Sequence, residues 1–129
     1  MTEKEKQEII SYRIKRAQET FQEVQLHIDN RLWTTAVNRL YYACYYAVSA
    51  LLIKHDIKTQ SHSGTRQMFG LHFIKTERIP KELGKLYSDL FDMRHSGDYD
   101  DFVDYTQEDV ITVLNPAKDL ISRIAQLVK

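Results

Sequence analysis

Leu40–Ile53 reads LYYACYYAVSALLI, a run without charge between Arg39 and Lys54 in which Ser49 is the one plainly polar side chain. At helical spacing Trp33, Ala36, Val37, Leu40, Tyr41, Cys44, Ala47, Val48, Leu51 and Leu52 form one apolar stripe. Tyr42, Tyr45, Tyr46, Ser49 and Ile53 form a second, aromatic stripe on another side. A helix that is apolar nearly all round must be wrapped by other helices or shared with a second subunit. The run is therefore predicted to be the central helix of a bundle. A membrane span is the competing reading, and length decides against it: such a run rises about 21 Å as a helix, short of roughly 30 Å of bilayer hydrocarbon. Its tyrosine hydroxyls each need a partner or a path to water, so some of these rings border a cleft or an interface.

Working outward, the 129 residues are enough for one domain, 1–129, with a core that needs no disulfide or structural metal. Cys44 is the only cysteine and sits inside the central helix, which excludes a disulfide framework and suits a reducing cytoplasm. The opening MTEKEKQEII carries charge where a signal peptide needs an apolar run, so export is not expected. Net charge is zero, which argues against a general coat for nucleic acid. The charge is uneven, however: residues 54–85 hold seven Lys/Arg against three acids, and residues 86–109 hold eight acids against Arg94 alone. A local basic face is compatible with that distribution.

The spacing predicts five helices. Thr2 and Glu5 have capping-box spacing ahead of Ile10, Ile14, Ala17, Phe21, Val24 and Ile28. Asn30 is the expected N-cap of the second helix, which runs to about His55. A short third helix is expected from about Thr65 to Ile74, carrying Met68, Leu71 and Phe73, with His62 capping it or bonding to the preceding loop. Pro80 fits the first turn of a fourth helix that ends at Gly97. Thr106 is the expected cap of the fifth, with Pro116 inside it. Helices one, two, four and five make an all-α, up-and-down four-helix bundle, and the third is a short insert.

Arg94 is the most informative polar residue. It lies four residues after Leu90 on the apolar side of the fourth helix, where an unpaired cation costs several kcal/mol. Two readings are open: an ion pair with Asp98, Asp100 or Asp101 that closes the helix corner, or a phosphate contact in a site. Asp98, Asp100 and Asp101 lack the central Gly and terminal Glu of a calcium loop, so no dedicated metal site and no cofactor are expected.

NRLYYACYYAVSALL, HSGTRQMFGLHFIKT and LGKLYSDLFDMRHSGDYDDF, in that order and spacing, resemble a HEPN domain of the small stand-alone prokaryotic branch over roughly residues 10–125. The resemblance implies a helical bundle that pairs into a homodimer. It also implies a link to metal-independent endoribonuclease toxins, often encoded with a small nucleotidyltransferase antitoxin, whose signature is Arg, four to six residues, then His. The matching arginine is Arg94. Intervals of four, five and six residues lead to Tyr99, Asp100 and Asp101, so the signature histidine is absent and efficient cleavage is not expected. Arg66 and His72 satisfy the spacing formally but lie in the third helix, outside the matching segment. The candidate catalytic residues are Arg94, Tyr99 and His95, and the candidate binding residues are Arg39, Tyr42, Asp98 and Asp101. The expected function is a module of a toxin–antitoxin or nucleotidyltransferase-associated system that binds nucleotide or RNA near Arg94. An active endoribonuclease toxin and a purely structural dimer are the alternatives.

Overall fold

In the computed structural model, which describes Met1–Lys129, the chain begins with a closed capping box: Glu5 N–H donates to the Thr2 hydroxyl and Thr2 N–H to the Glu5 carboxylate. These bonds satisfy donors that a helix start leaves unpaired, and α1 (Glu3–Asp29) follows. α2 is Trp33–Lys54 and α3 is His62–Phe69, which continues into a π-helical turn over Gly70–Ile74. α4 (Lys81–Tyr99) and α5 (Gln107–Leu127) complete an all-α architecture without strands. A second capping box, between Thr106 and Asp109, starts α5, which runs through Pro116.

α2 is the only helix that packs against all four others. α1 lies along it, α4 and α5 pack beside it, and α3 with its π turn crosses the α2 and α4 side as the insert. The two stripes of α2 separate by depth. Leu40, Tyr41, Cys44, Ala47, Val48, Leu51 and Leu52 are fully buried, while Tyr42, Tyr45, Tyr46, Ser49 and Ile53 are half-buried. Burial pushes the Cys44 thiol up to about 12, so it packs as a small apolar group. No helix is long and apolar enough to cross a membrane.

Several boundaries differ from the sequence reading. Asn30 closes α1 instead of opening α2: its side-chain amide donates to the Leu26 carbonyl, and Arg31 follows with φ 57°. α2 starts after Leu32 without a side-chain cap. α3 begins earlier than expected, because Ser61 accepts from Gly64 N–H and takes the capping role, freeing His62. Within the π turn Phe73 is buried and Leu71 is exposed, since the wider turn rotates the later side chains out of simple helical register. Pro80 stands just outside α4 with extended backbone, ψ 142°.

Gly97 does not end α4, which continues to Tyr99. Its role is close approach: a Cβ there would lie 3.2 Å from Thr34 Cγ2 and 3.3 Å from Tyr105 Cε2. Tyr105 in turn donates its hydroxyl to the Met93 carbonyl at 2.7 Å and its backbone N–H to Thr34 Oγ1 at 3.3 Å. The acidic, aromatic segment after α4 is thus fastened to the turn that carries Arg94.

Candidate functional site

The buried side of α4 follows Leu83, Leu86, Tyr87 and Leu90, and one further turn brings Arg94 to the same side. Arg94 is only 8% exposed. Its guanidinium carbon lies 4.8 Å from the Tyr41 ring centroid, 5.8 Å from that of Tyr42 and 6.0 Å from that of Phe91. The negative faces of such rings compensate part of the desolvation of a buried cation, by about 2 kcal/mol.

Hydrogen bonding compensates it less. A guanidinium has several N–H donors and no acceptor. The paired acid is Asp98, one turn on, at 3.7 Å between Arg94 Nη1 and Asp98 Oδ2, which is beyond hydrogen-bond length. The Asp98 carboxylate instead accepts from the Asn38 side-chain amide at 3.3 and 3.4 Å. Arg94 Nε is buried without any partner. The expected corner ion pair is therefore present in loose form, and it leaves the fork of donors largely unused.

Two more arginines stand beside this one. The Arg39 guanidinium carbon is 5.6 Å from the Tyr42 ring, so Tyr42 has an arginine from α2 and another from α4 against it. Arg66, from α3, lies 4.2 Å over Phe91 and pairs with Asp92 at 3.5 Å. The helices thus gather Arg39, Arg66 and Arg94 around Tyr42 and Phe91, in a chain of zero net charge.

Sequence reasoning missed two residues of this cluster. Tyr41, read only as core, holds its hydroxyl 2.7 Å from His62 Nδ1. His62, read as a cap or loop contact, turns inward with its ring 4.4 Å from Tyr45 and 5.7 Å from Tyr42. Burial, and then the Arg94 charge, lower the His62 pKa, so the ring is held neutral. Burial pushes Tyr41 up to about 12, and Tyr87, stacked on it at 5.9 Å, is also raised by burial. Both phenols keep their protons. The one clue to His62 in the sequence was its position directly after a serine able to cap; its partner comes from another helix, 21 residues away.

The other candidates face elsewhere. His95 and Tyr99 are exposed and their rings meet at 4.9 Å, tilted by 44°, as residues four apart on a helix can. Each residue turns the helix by about 100°, which takes His95 away from the side of Arg94. Asp101 is exposed in the turn after α4. Arg39, Tyr42, Asp98 and Arg94 come together, whereas His95, Tyr99 and Asp101 lie outside the cluster. The formal Arg66 and His72 pair is split as well, since His72 is exposed on the π turn.

A groove of about 600 Å³ adjoins the cluster between α1, α2 and the loop after α2. Lys6, Arg13, Tyr45, Ser49 and Lys58 are among its lining residues, and Arg13 donates to the Ser49 hydroxyl. Tyr45 belongs both to this groove and to the contact with His62.

Comparison with known proteins agrees with this architecture. Residues 10–127 match the HEPN domain profile. A Thermotoga maritima protein named "UPF0332 protein" is 38% identical over 125 residues, covering 97% of this chain and 95% of the relative. Two Methanocaldococcus jannaschii proteins bear the name "Putative toxin". One is 28% identical over 98% of this chain and 93% of its own length, and the other is 29% identical over 79% and 69%.

Proposed function

The chain belongs to the HEPN domain family, and from that premise we propose that it is a toxin-like module whose Arg94 cleft binds the phosphate of a nucleotide or of RNA. The observation that carries this reading is the state of Arg94: buried, stacked on aromatic rings, and short of acceptors. A guanidinium in that condition meets a phosphate with parallel donors already oriented, so little conformational entropy is lost on binding. Arg39 and Arg66 add positive charge, and Tyr42 offers an aromatic face for a base. The basic groove past Tyr45 supplies a path for a longer strand.

Two relatives named as toxins support a partner that restrains this activity, and a small nucleotidyltransferase antitoxin is the proposed one. The half-buried Tyr42, Tyr45 and Tyr46 of α2 favour a symmetric homodimer, because they leave aromatic surface that one small bundle does not cover. A single buried thiol suits the cytoplasm.

The test uses purified wild type and Arg94→Ala. Their affinities for labelled nucleotides and short RNA are measured beside their melting temperatures. Loss of binding in a variant that melts like the wild type is the expected result. Unchanged binding in a folded Arg94→Ala protein would end the reading.

A further inference from the structure

We infer that His62 is the proton-transfer residue of this site, supplying from the start of α3 the imidazole that does not follow Arg94 in sequence. The inference rests on the reading that RNA phosphate binds at Arg94.

Three geometric observations carry it. His62 and Arg94 share their surroundings: the ring of one and the guanidinium carbon of the other each lie within 6 Å of the Tyr41 and Tyr42 ring centroids. The orientation of the imidazole is set by the protein, since Nδ1 engages Tyr41 Oη at 2.7 Å and Tyr45 packs on the ring at 4.4 Å. Nε2 makes no hydrogen bond and is the atom left for a ligand. Ser61 performs the capping of α3, so His62 has no duty at the helix start. His95 packs against Tyr99 at the exposed surface instead.

The chemistry follows from these positions. Neutral His62 with its proton on Nδ1, donated to Tyr41 Oη, presents the Nε2 lone pair to a ribose 2′-hydroxyl. The 2′-oxygen bonds to phosphorus while the bond from phosphorus to the 5′-oxygen breaks. The hydroxyl proton passes to Nε2, and the departing 5′-oxygen takes a proton from water. Arg94 holds the phosphoryl oxygens as their charge increases. The products are a 2′,3′-cyclic phosphate and a free 5′-hydroxyl, and the new imidazolium keeps Nδ1–H on Tyr41 until it releases its extra proton to solvent.

The groups facing the imidazole are Tyr41, Tyr42 and Tyr45 from α2 and Arg94 from α4. Burial raises Tyr41, which keeps its proton, and the positive charge of Arg94 favours the neutral imidazole.

The experiment compares wild type, His62→Gln, His62→Ala, His95→Gln and Arg94→Ala on a labelled single-stranded RNA and on the same strand with 2′-O-methyl riboses. Binding is read on the methylated strand and cleavage on the RNA. The expected result is wild-type cleavage that leaves cyclic phosphate ends, with the methylated strand bound and uncut. His62→Gln should bind like the wild type and cleave at least about a hundredfold more slowly, the usual contribution of a positioned general base. Added imidazole should restore part of the rate of His62→Ala, which no structural role would produce. His95→Gln should cleave like the wild type. Arg94-dependent binding without cleavage by the wild type would overturn the inference and leave the phosphate site standing, and so would undiminished cleavage by His62→Gln. Binding that ignores Arg94→Ala would instead remove the underlying reading. If His62→Gln fails to fold, the wild-type rate profile still decides: it should rise with pH through one ionisation below the ordinary histidine value of about 6.5, and a flat profile there overturns the assignment.

Discussion

The guanidinium of Arg94 lies 4.8 Å from the centroid of Tyr41, so a cation from α4 rests on a buried ring of α2 where an ordinary core would place an aliphatic side chain. That contact joins the central helix to the site, and it has a measurable consequence for stability.

Replacing Arg94 by Met keeps the unbranched stem and removes a buried charge that is only loosely paired. Exchanging a buried ion for an apolar group of similar size is often neutral or stabilising. Arg94→Met is therefore expected to unfold at the wild-type denaturant midpoint or above it, with a gain of up to about 2 kcal/mol, while losing ligand binding. A loss greater than about 2 kcal/mol in chemical denaturation would make Arg94 a structural corner instead.

His62 gives stability a pH dependence of definite sign. Its folded pKa is lowered, first by burial and then by Arg94, so the folded state binds fewer protons than the unfolded chain. Its contribution is fully present above about pH 6.5, the unfolded value, and is lost as pH falls towards the depressed folded value. His55 acts in the same direction. Melting temperatures measured from pH 7.5 downward should fall more steeply for wild type than for His62→Gln, and parallel curves would contradict this assignment.

Two glycines should respond oppositely to alanine. A Cβ on Gly84 would lie 2.8 to 2.9 Å from three side-chain atoms of Ile74, a branched residue with little room to turn. Gly84→Ala should therefore cost about 1–3 kcal/mol although alanine is the better helix former. Gly70 has open space around it and helical φ, so Gly70→Ala should gain about 0.5–1 kcal/mol. Urea midpoints of the two variants test the contrast, and equal shifts would refute it.

The aromatic stripe of α2 predicts self-association. Sedimentation at tens of micromolar should give the mass of a dimer, and Tyr46→Glu should shift it towards monomer by placing charge on the half-buried face. A wild-type monomer at that concentration would remove the homodimer from the proposal.

Much of the fold was legible because the residues that specify it are close in sequence. The capping boxes at Thr2 and Thr106 are satisfied within three residues, and the two stripes of α2 need only helical periodicity to be separated. Arg94 was legible for the same reason, as a charge in register with Leu83, Tyr87 and Leu90. The ends of helices were less so: Asn30 and Gly97 each have chemistry that suits a boundary, but the Asn30 amide bonds back to the Leu26 carbonyl and closes α1, while packing gives Gly97 its contacts with Thr34 and Tyr105.

The sequence by itself determined an all-α chain with an apolar central helix and one arginine on its neighbour's buried side. Only the tertiary structure decided which groups face that arginine. Tyr41 reaches His62 across a loop, and Phe91 carries Arg66 as well as Arg94, while His95, beside Arg94 in the chain, turns to the exposed surface. The physical reason is that helical periodicity sets the direction of a side chain from its own helix axis, whereas the partner it meets depends on how separate helices pack, through contacts between residues far apart in the chain.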